Sequence, residues 1–229
     1  MRRARWRLHT LVAVGMATAG IVGVWGVGFW SPELISNALT PTELRGQNLP
    51  AELAQHIGRV KATATLLQDV GGFMGILTLT ILANHIRRRL SFAVVFLGGF
   101  LSIALAFLTL HTEWQAYVLL PLVGFFTIGV MGGFVIYFPE IFPTRLRSTG
   151  TAFGYNVARL SAAVVMVLGN SIRDGFRQMG VADPFRIGAV TLGGIYLLGL
   201  LVLLWAPETC GRPMMEDEDE SANLEPDRL

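Results

Sequence analysis

Six apolar stretches, each about twenty residues or longer, divide this chain and constrain it more than any motif does. They cover 8–30, 62–86, 91–110, 116–138, 149–172 and 186–205. About 20 helical residues, rising about 1.5 Å each, cross a hydrocarbon core ~30 Å thick. Backbone N–H and C=O groups find no water there, and a helix pairs them within one segment. The expected fold class is therefore an all-α membrane protein with six transmembrane helices. Composition agrees. Charged residues make up 15% of the chain and there are 26 glycines, whereas soluble domains carry about 25% charged residues.

Four segments follow from this pattern. Residues 1–30 form a basic start and first span, 31–61 an outer connector, 62–206 the five further spans, and 207–229 a tail that is acidic at 216–220. Arg2, Arg3, Arg5 and Arg7 followed by an apolar run resemble a signal peptide, with Ala17-Thr-Ala19 as a cleavage site. The apolar run continues to Trp30, which reads as a retained span. In the connector, Ser31-Pro32-Glu33 suits a helix start, and Pro50 suits the opening of a helix that runs into the second span.

Arginines set the expected orientation. Arg2 to Arg7 precede span one, Arg87, Arg88 and Arg89 lie between spans two and three, and Arg145 and Arg147 lie between spans four and five. Six spans put all of these on one side, which the positive-inside rule makes cytoplasmic, with both termini there. The expected location is a multi-pass plasma membrane protein. The connector 173–186, with three arginines on the other side, counts against the rule. Trp6, Trp30, Trp114 and Trp205 fall near span ends, as an aromatic belt requires.

Two charges fall inside spans. Arg159 sits near the middle of span five, where an arginine costs roughly 2.5–3.5 kcal/mol on insertion scales. Tyr155 and Asn156 precede it by four and three residues and share its side of the helix. Asp69 lies about 10 Å below the outer surface in span two, and Arg159 about 16 Å from the inner one. Their depths nearly match, so an Asp69–Arg159 pair or shared polar site is expected, with Asp69 a candidate proton carrier. The other readings stand beside these: Arg159 paired to a neighbouring helix, and Asp69 in the headgroup zone. Between spans four and five, Pro139 and Pro143 are expected to stop the helix, and Glu140 to pair with Arg145 or Arg147. Those arginines either latch the inner face or anchor it to headgroups.

Gly129-Val-Met-Gly-Gly133 and Gly150-Thr-Ala-Phe-Gly154 are small-residue spacings that bring helices close. His9, His56, His85 and His111 show no metal spacing, and the single Cys210 offers no disulfide within the chain. No nucleophile elbow, zinc signature or phosphate loop is present. No catalytic residue, metal, cofactor or nucleic-acid partner is expected.

Three loops resemble the major facilitator superfamily, in its sugar and organic-ion proton symporter branch. Pro139-Glu-Ile-Phe-Pro-Thr-Arg-Leu-Arg-Ser-Thr-Gly150 is similar to the family's P-E-x-F-P-T-x-x-R-x-x-G. Pro207-Glu-Thr-Cys-Gly-Arg212 is similar to the P-E-T-x-G-R after a last helix. Leu82-Ala-Asn-His-Ile-Arg-Arg-Arg89 resembles L-A-D-R-x-G-R-R, with Asn84 in place of the usual Asp and Arg87 in place of Gly. The resemblance implies one six-helix bundle, the second of the two in that fold. It implies an inner gate at Glu140, Arg145, Arg147, Arg88 and Arg89, and a solute or proton path at Arg159, Asn156, Asp69 and Tyr155. The implied activity is alternating-access transport of a small polar solute, a sugar or organic acid or ion, coupled to protons. The implied partners are the lipid bilayer, the solute, and either an N-terminal half or a second copy. A non-transporting membrane interaction protein, or a transporter fragment, is the alternative from a different class.

Overall fold

The computed structural model describes residues 2–28 and 30–212. The side chains of Arg2, Arg3 and Arg5 and the acidic run 216–220 lie outside what is described. Among the described residues there is helix and no strand. Six helical runs are long and apolar enough to cross a membrane: Trp6–Leu39, Ala51–His85, Arg88–Thr109, Glu113–Ile141, Thr144–Gln178 and Pro184–Val202. They pack side by side in an up-and-down bundle. One end gathers the start of the chain and the loops around 86, 142 and 206. The other gathers the turns around 45, 111 and 181.

Several runs are built in pieces. The first comprises α1 (Arg2–Val22), a π-helical turn at Gly23–Val27, and α2 (Ser31–Leu39). The π turn lies where the Tyr196 ring occupies the space a side chain at Gly23 would need. The second run is the single helix α3 (Ala51–His85), with Pro50 as its N-cap. The stretch 31–61, read as a connector, is thus largely helical. Leu34 and Ile35 on α2 are completely buried, so a short amphipathic helix lies against the core there. The helix begins at Ser31 with Pro32 in its first turn, and Trp30 rather than Ser31 holds the cap position.

The third run is α4 (Arg88–Thr109). The fourth divides at 128–129 into α5 (Glu113–Thr127) and α6 (Val130–Ile141). Pro139 does not stop this run but sits inside α6, two residues before its end. Its missing N–H leaves the Val135 carbonyl without its helical donor, the loss of one hydrogen bond. Pro143 then caps the 35-residue α7 (Thr144–Gln178). The sixth run is α8 (Pro184–Gly193) and α9 (Ile195–Val202), divided at Gly194.

Two contacts hold the bundle. At the centre, α3 and α5 approach backbone to backbone. A Cβ on Gly71 would strike the Pro121 carbonyl, one on Gly75 the Phe125 carbonyl, and one on Gly124 the Gln68 carbonyl. Gly129 packs its helix break against Gly75 in the same seam. Lipid tails give helices no hydrophobic reason to associate, so close dispersion contact of this kind carries the packing. Nearer the arginine-loop end, Phe92, Phe134 and Phe138 stack in series, with centroids 5.5 and 4.8 Å apart.

Burial is uneven. Half or more of the apolar window of the first and fourth runs is buried, 59% and 50%, against 28% for α3 and 22% for α7. These two helices carry long unpartnered faces.

The seam makes a test. Gly75→Ala puts a methyl group into a backbone carbonyl and is expected to destabilise the protein by about 1–3 kcal/mol. Gly58→Ala, on the same helix where nothing lies within 4 Å, is expected to be neutral or stabilising by up to about 1 kcal/mol. Thermal unfolding of both variants in one detergent gives the comparison, and equal effects would remove the close seam.

Candidate functional site

The three loop motifs meet at Arg88, the first residue of α4. Its guanidinium grips Glu140 of α6 with two bonds, Nη2 to Oε1 at 2.7 Å and Nε to Oε2 at 3.1 Å. Nη1 donates to the Ala83 carbonyl and to Asn84 Oδ1, the latter at 3.1 Å, so the same side chain also caps the end of α3. Asn84, where the family pattern has Asp, keeps an oxygen facing Arg88 and gives up a negative charge.

The third motif supplies an acid at the start of α4. Glu208 accepts the Arg88 amide at 2.8 Å and the Arg89 amide at 3.3 Å. A carboxylate is well placed there, since the first amides of a helix have no partner of their own and carry the positive end of its dipole. Thr209 donates to Glu140 Oε2 at 2.6 Å. Tyr137 of α6 donates to the Pro207 carbonyl at 2.7 Å, tying the same segment from below. Arg89 reaches the Leu204 carbonyl at 3.3 Å. His9 of α1 bonds the Ile141 carbonyl at the end of α6 through Nδ1, at 2.7 Å. One polar junction thus joins α1, α3, α4, α6 and the segment after α9.

Glu140 was expected to pair with Arg145 or Arg147. Its carboxylate is held by Arg88 and Thr209, while Arg147 directs Nε to the Pro139 carbonyl at 3.1 Å. Sequence distance misled here, because the helix end turns Glu140 inward toward α4. The Arg88 and Glu140 side chains are only 10% and 16% exposed, which sets this pair apart from solvated surface pairs of little worth.

The far end carries a second built site. Arg186 of α8 is buried and directs its guanidinium to the carbonyls of Phe107 at 3.0 Å and Leu110 at 2.7 Å, capping α4. Asp183 pairs with it at 3.0 Å and caps α8 by accepting the Arg186 amide at 3.2 Å. Arg173 pairs with Glu33 at 3.1 Å. Two of the arginines that broke the positive-inside pattern therefore have bonding roles.

The residues inside the spans are arranged differently from expectation. Asp69 and Arg159 are both exposed, and no ion pair joins them. Their helices lie on different flanks: α3 packs on α5 and α6, and α7 mainly on α1 and α8. Matching depth did not bring them together, because the direction each face points decides contact. Asn156 is exposed and turns Nδ2 back to the Ala152 carbonyl at 2.8 Å. Tyr155 is half-buried and directs its hydroxyl to Met131 Sδ on α6 at 3.1 Å. Among the described residues no group of three or more His, Cys, Asp or Glu is arranged to hold a metal.

Comparison with known proteins bears on the family and the fold. A family model described as "Sugar (and other) transporter" matches residues 73–220. A cis,cis-muconate transport protein of Acinetobacter baylyi is 29% identical over 175 residues, 72% of this chain and 38% of that protein. Polyol transporter 5 of Arabidopsis thaliana is 35% identical over 103 residues, 42% of this chain and 16% of its own length. Among solved structures, the inward-open conformation of the xylose transporter XylE from E. coli matches with a TM-score of 0.61 and 20% identity. That match covers 87% of this chain and 48% of the other, and it shows a shared fold. The chain spans about half the length, or less, of these relatives.

The junction generates a double-mutant cycle. Arg88→Met leaves Glu140 as an uncompensated, largely buried charge and is expected to cost about 3 kcal/mol. Adding Glu140→Gln to that variant is expected to restore about 1–2 kcal/mol. Additive losses in thermal unfolding would mean that the two side chains do not act as a pair.

Proposed function

Because the chain belongs to the sugar (and other) transporter family, we propose that it forms one six-helix half of a carrier that moves a small polar solute by alternating access, coupled to protons. The Arg88 junction is the single observation that carries this reading. It concentrates short charged bonds at one end of the bundle, where opening and closing would break and remake them. A static anchor needs arginines facing headgroups, whereas Arg88 points inward onto two helix ends.

In this reading the arginine-loop end is cytoplasmic, both termini lie there, and the membrane is the plasma membrane. Arg159 and Asn156 contact the solute and Asp69 carries the coupling proton. Their exposure on the two helices with the least covered faces supports the assignment. Such faces cannot remain against acyl chains with a guanidinium and a carboxylate on them, so a second six-helix half is the proposed partner. The carboxylate solute named for the Acinetobacter relative and the basic Arg159 together favour an organic anion over a neutral sugar. The rival reading, a non-transporting interaction protein, uses the same two faces for a permanent partner.

Uptake by the chain co-reconstituted with an N-terminal half tests this. Arg159→Gln is expected to lower uptake of a dicarboxylate at least about tenfold, the loss of one charge-assisted contact. A complex that forms stably but moves no solute would favour the rival. Orientation is tested with single cysteines in a Cys210→Ser background. Positions 88 and 147 are expected to label from the same side, and position 159 to react with a water-soluble reagent. Labelling from opposite sides would end the transport reading.

A further inference from the structure

At the end opposite the Arg88 junction, a cleft of about 280 Å³ opens between the segment after α2, the end of α7 and the start of α8. Arg45, Arg173, Arg177 and Arg186 line it, against Asp174 and Asp183. Arginines are costly to place at both ends of a spanning bundle, since the positive-inside rule favours one end poor in them. Bonding explains only part of this set. Arg186 is fully engaged by two carbonyls and Asp183. Arg173 gives one N–H to Glu33, and Arg45 gives one to the Asn37 carbonyl at 2.9 Å. The Arg177 guanidinium makes no hydrogen bond or ion pair among the described residues, only its backbone carbonyl accepting the Gly180 amide at 3.1 Å. Glu33, Asp174 and Asp183 balance three of the four guanidinium groups and leave a positive excess.

Phe185 lines the same cleft, buried against Trp30 at 5.6 Å and Phe107 at 5.9 Å. An aromatic wall beside cationic groups suits a molecule with a carbon skeleton and separated negative ends. The volume has room for about nine water-sized groups, the size of a four- to six-carbon dicarboxylate. We propose that this cleft is an entry site that captures small organic dianions, with Arg45 and Arg177 supplying the free N–H groups that bind them. It lies apart from Arg159 and rests on the transport reading only for its role in entry. A cationic mouth of this kind raises the local concentration of anions and their rate of arrival. A phosphate group presents the same chemistry, from a solute or from a lipid headgroup.

Binding of succinate to the purified full chain in nanodiscs of neutral lipid is the test, followed by calorimetry at constant ionic strength. Succinate is expected to bind more tightly than acetate. Arg45→Gln and Arg177→Gln are each expected to weaken succinate binding about tenfold, with Arg59→Gln, an exposed arginine of α3, leaving it unchanged. Undiminished affinity in the Arg45→Gln/Arg177→Gln double variant would overturn the proposal, as would an equal loss in Arg59→Gln. In discs containing phosphatidylglycerol, succinate affinity is expected to hold. A tenfold fall there, beyond the ionic-strength control, would give the cleft to a lipid headgroup and overturn solute capture. In co-reconstituted carrier, Arg177→Gln is expected to raise KM for a dianion at unchanged kcat. Absence of uptake in every variant and in the parent chain would sink the transport reading and leave the binding result standing by itself.

Discussion

A guanidinium removed from water must have its charge and its N–H directions answered, and Arg88 organises one whole end of this bundle by meeting that demand. The carboxylate of Glu140 answers the charge, and the end of α3 takes the remaining donors. Glu208 then stabilises the start of α4 from outside the helix. Each contact comes from a different stretch of chain, so the loops are fixed by one another rather than by their own turns. Buried ion pairs add little to stability over an apolar equivalent, yet breaking one by half is costly. That asymmetry makes each partner of the pair depend on the other staying in place.

The rest of the bundle divides between rigidity and exposure. The glycine seam of α3 and α5 lets two backbones touch and leaves no space for adjustment. The same α3 turns its other face outward with Asp69 on it. That outward face is mostly apolar, with Leu66, Val70, Phe73 and Met74 exposed beside Asp69. The opposite end is stiffened by Arg186, which ties α8 to the last carbonyls of α4. Both ends are thus pinned by an arginine capping a neighbouring helix, and the unpartnered surface lies between them.

Much of this was legible in the sequence and some was not, for definite reasons. Span number followed from apolar length, because a bilayer imposes one scale on every helix. The Pro50 start of α3 was readable, because proline fixes its own φ and removes a donor. The break at 128–129 and the π turn at 23–27 were not, since both answer to residues far away, Gly75 and Tyr196. The three loop motifs could be placed at one end by counting spans. Their bonding could not, because Glu140 chooses Arg88 across 52 positions rather than an arginine in its own loop. Asp69 and Arg159 show the limit most clearly. Helical rise gives depth from sequence, but azimuth depends on which helices pack together, and here it separates the two. Arg186 left a signal that was read as an anomaly: an arginine on the wrong side, three residues after an Asp-Pro helix start.

Arg159 and Asp69 are best understood through what this chain does not provide for them. An arginine near mid-span costs roughly 2.5–3.5 kcal/mol even when it can snorkel, and among the described residues no carboxylate pairs with Arg159 to offset that. Such a residue persists only where water, a solute or another polypeptide meets it. Tyr155 bonding Met131 and Asn156 bonding its own helix leave Arg159 as the one fully unsatisfied donor of the trio. The guanidinium therefore faces a volume outside this bundle. Asp69 is likewise exposed, on the other flank, and a carboxylate within a span makes the same demand for a polar partner.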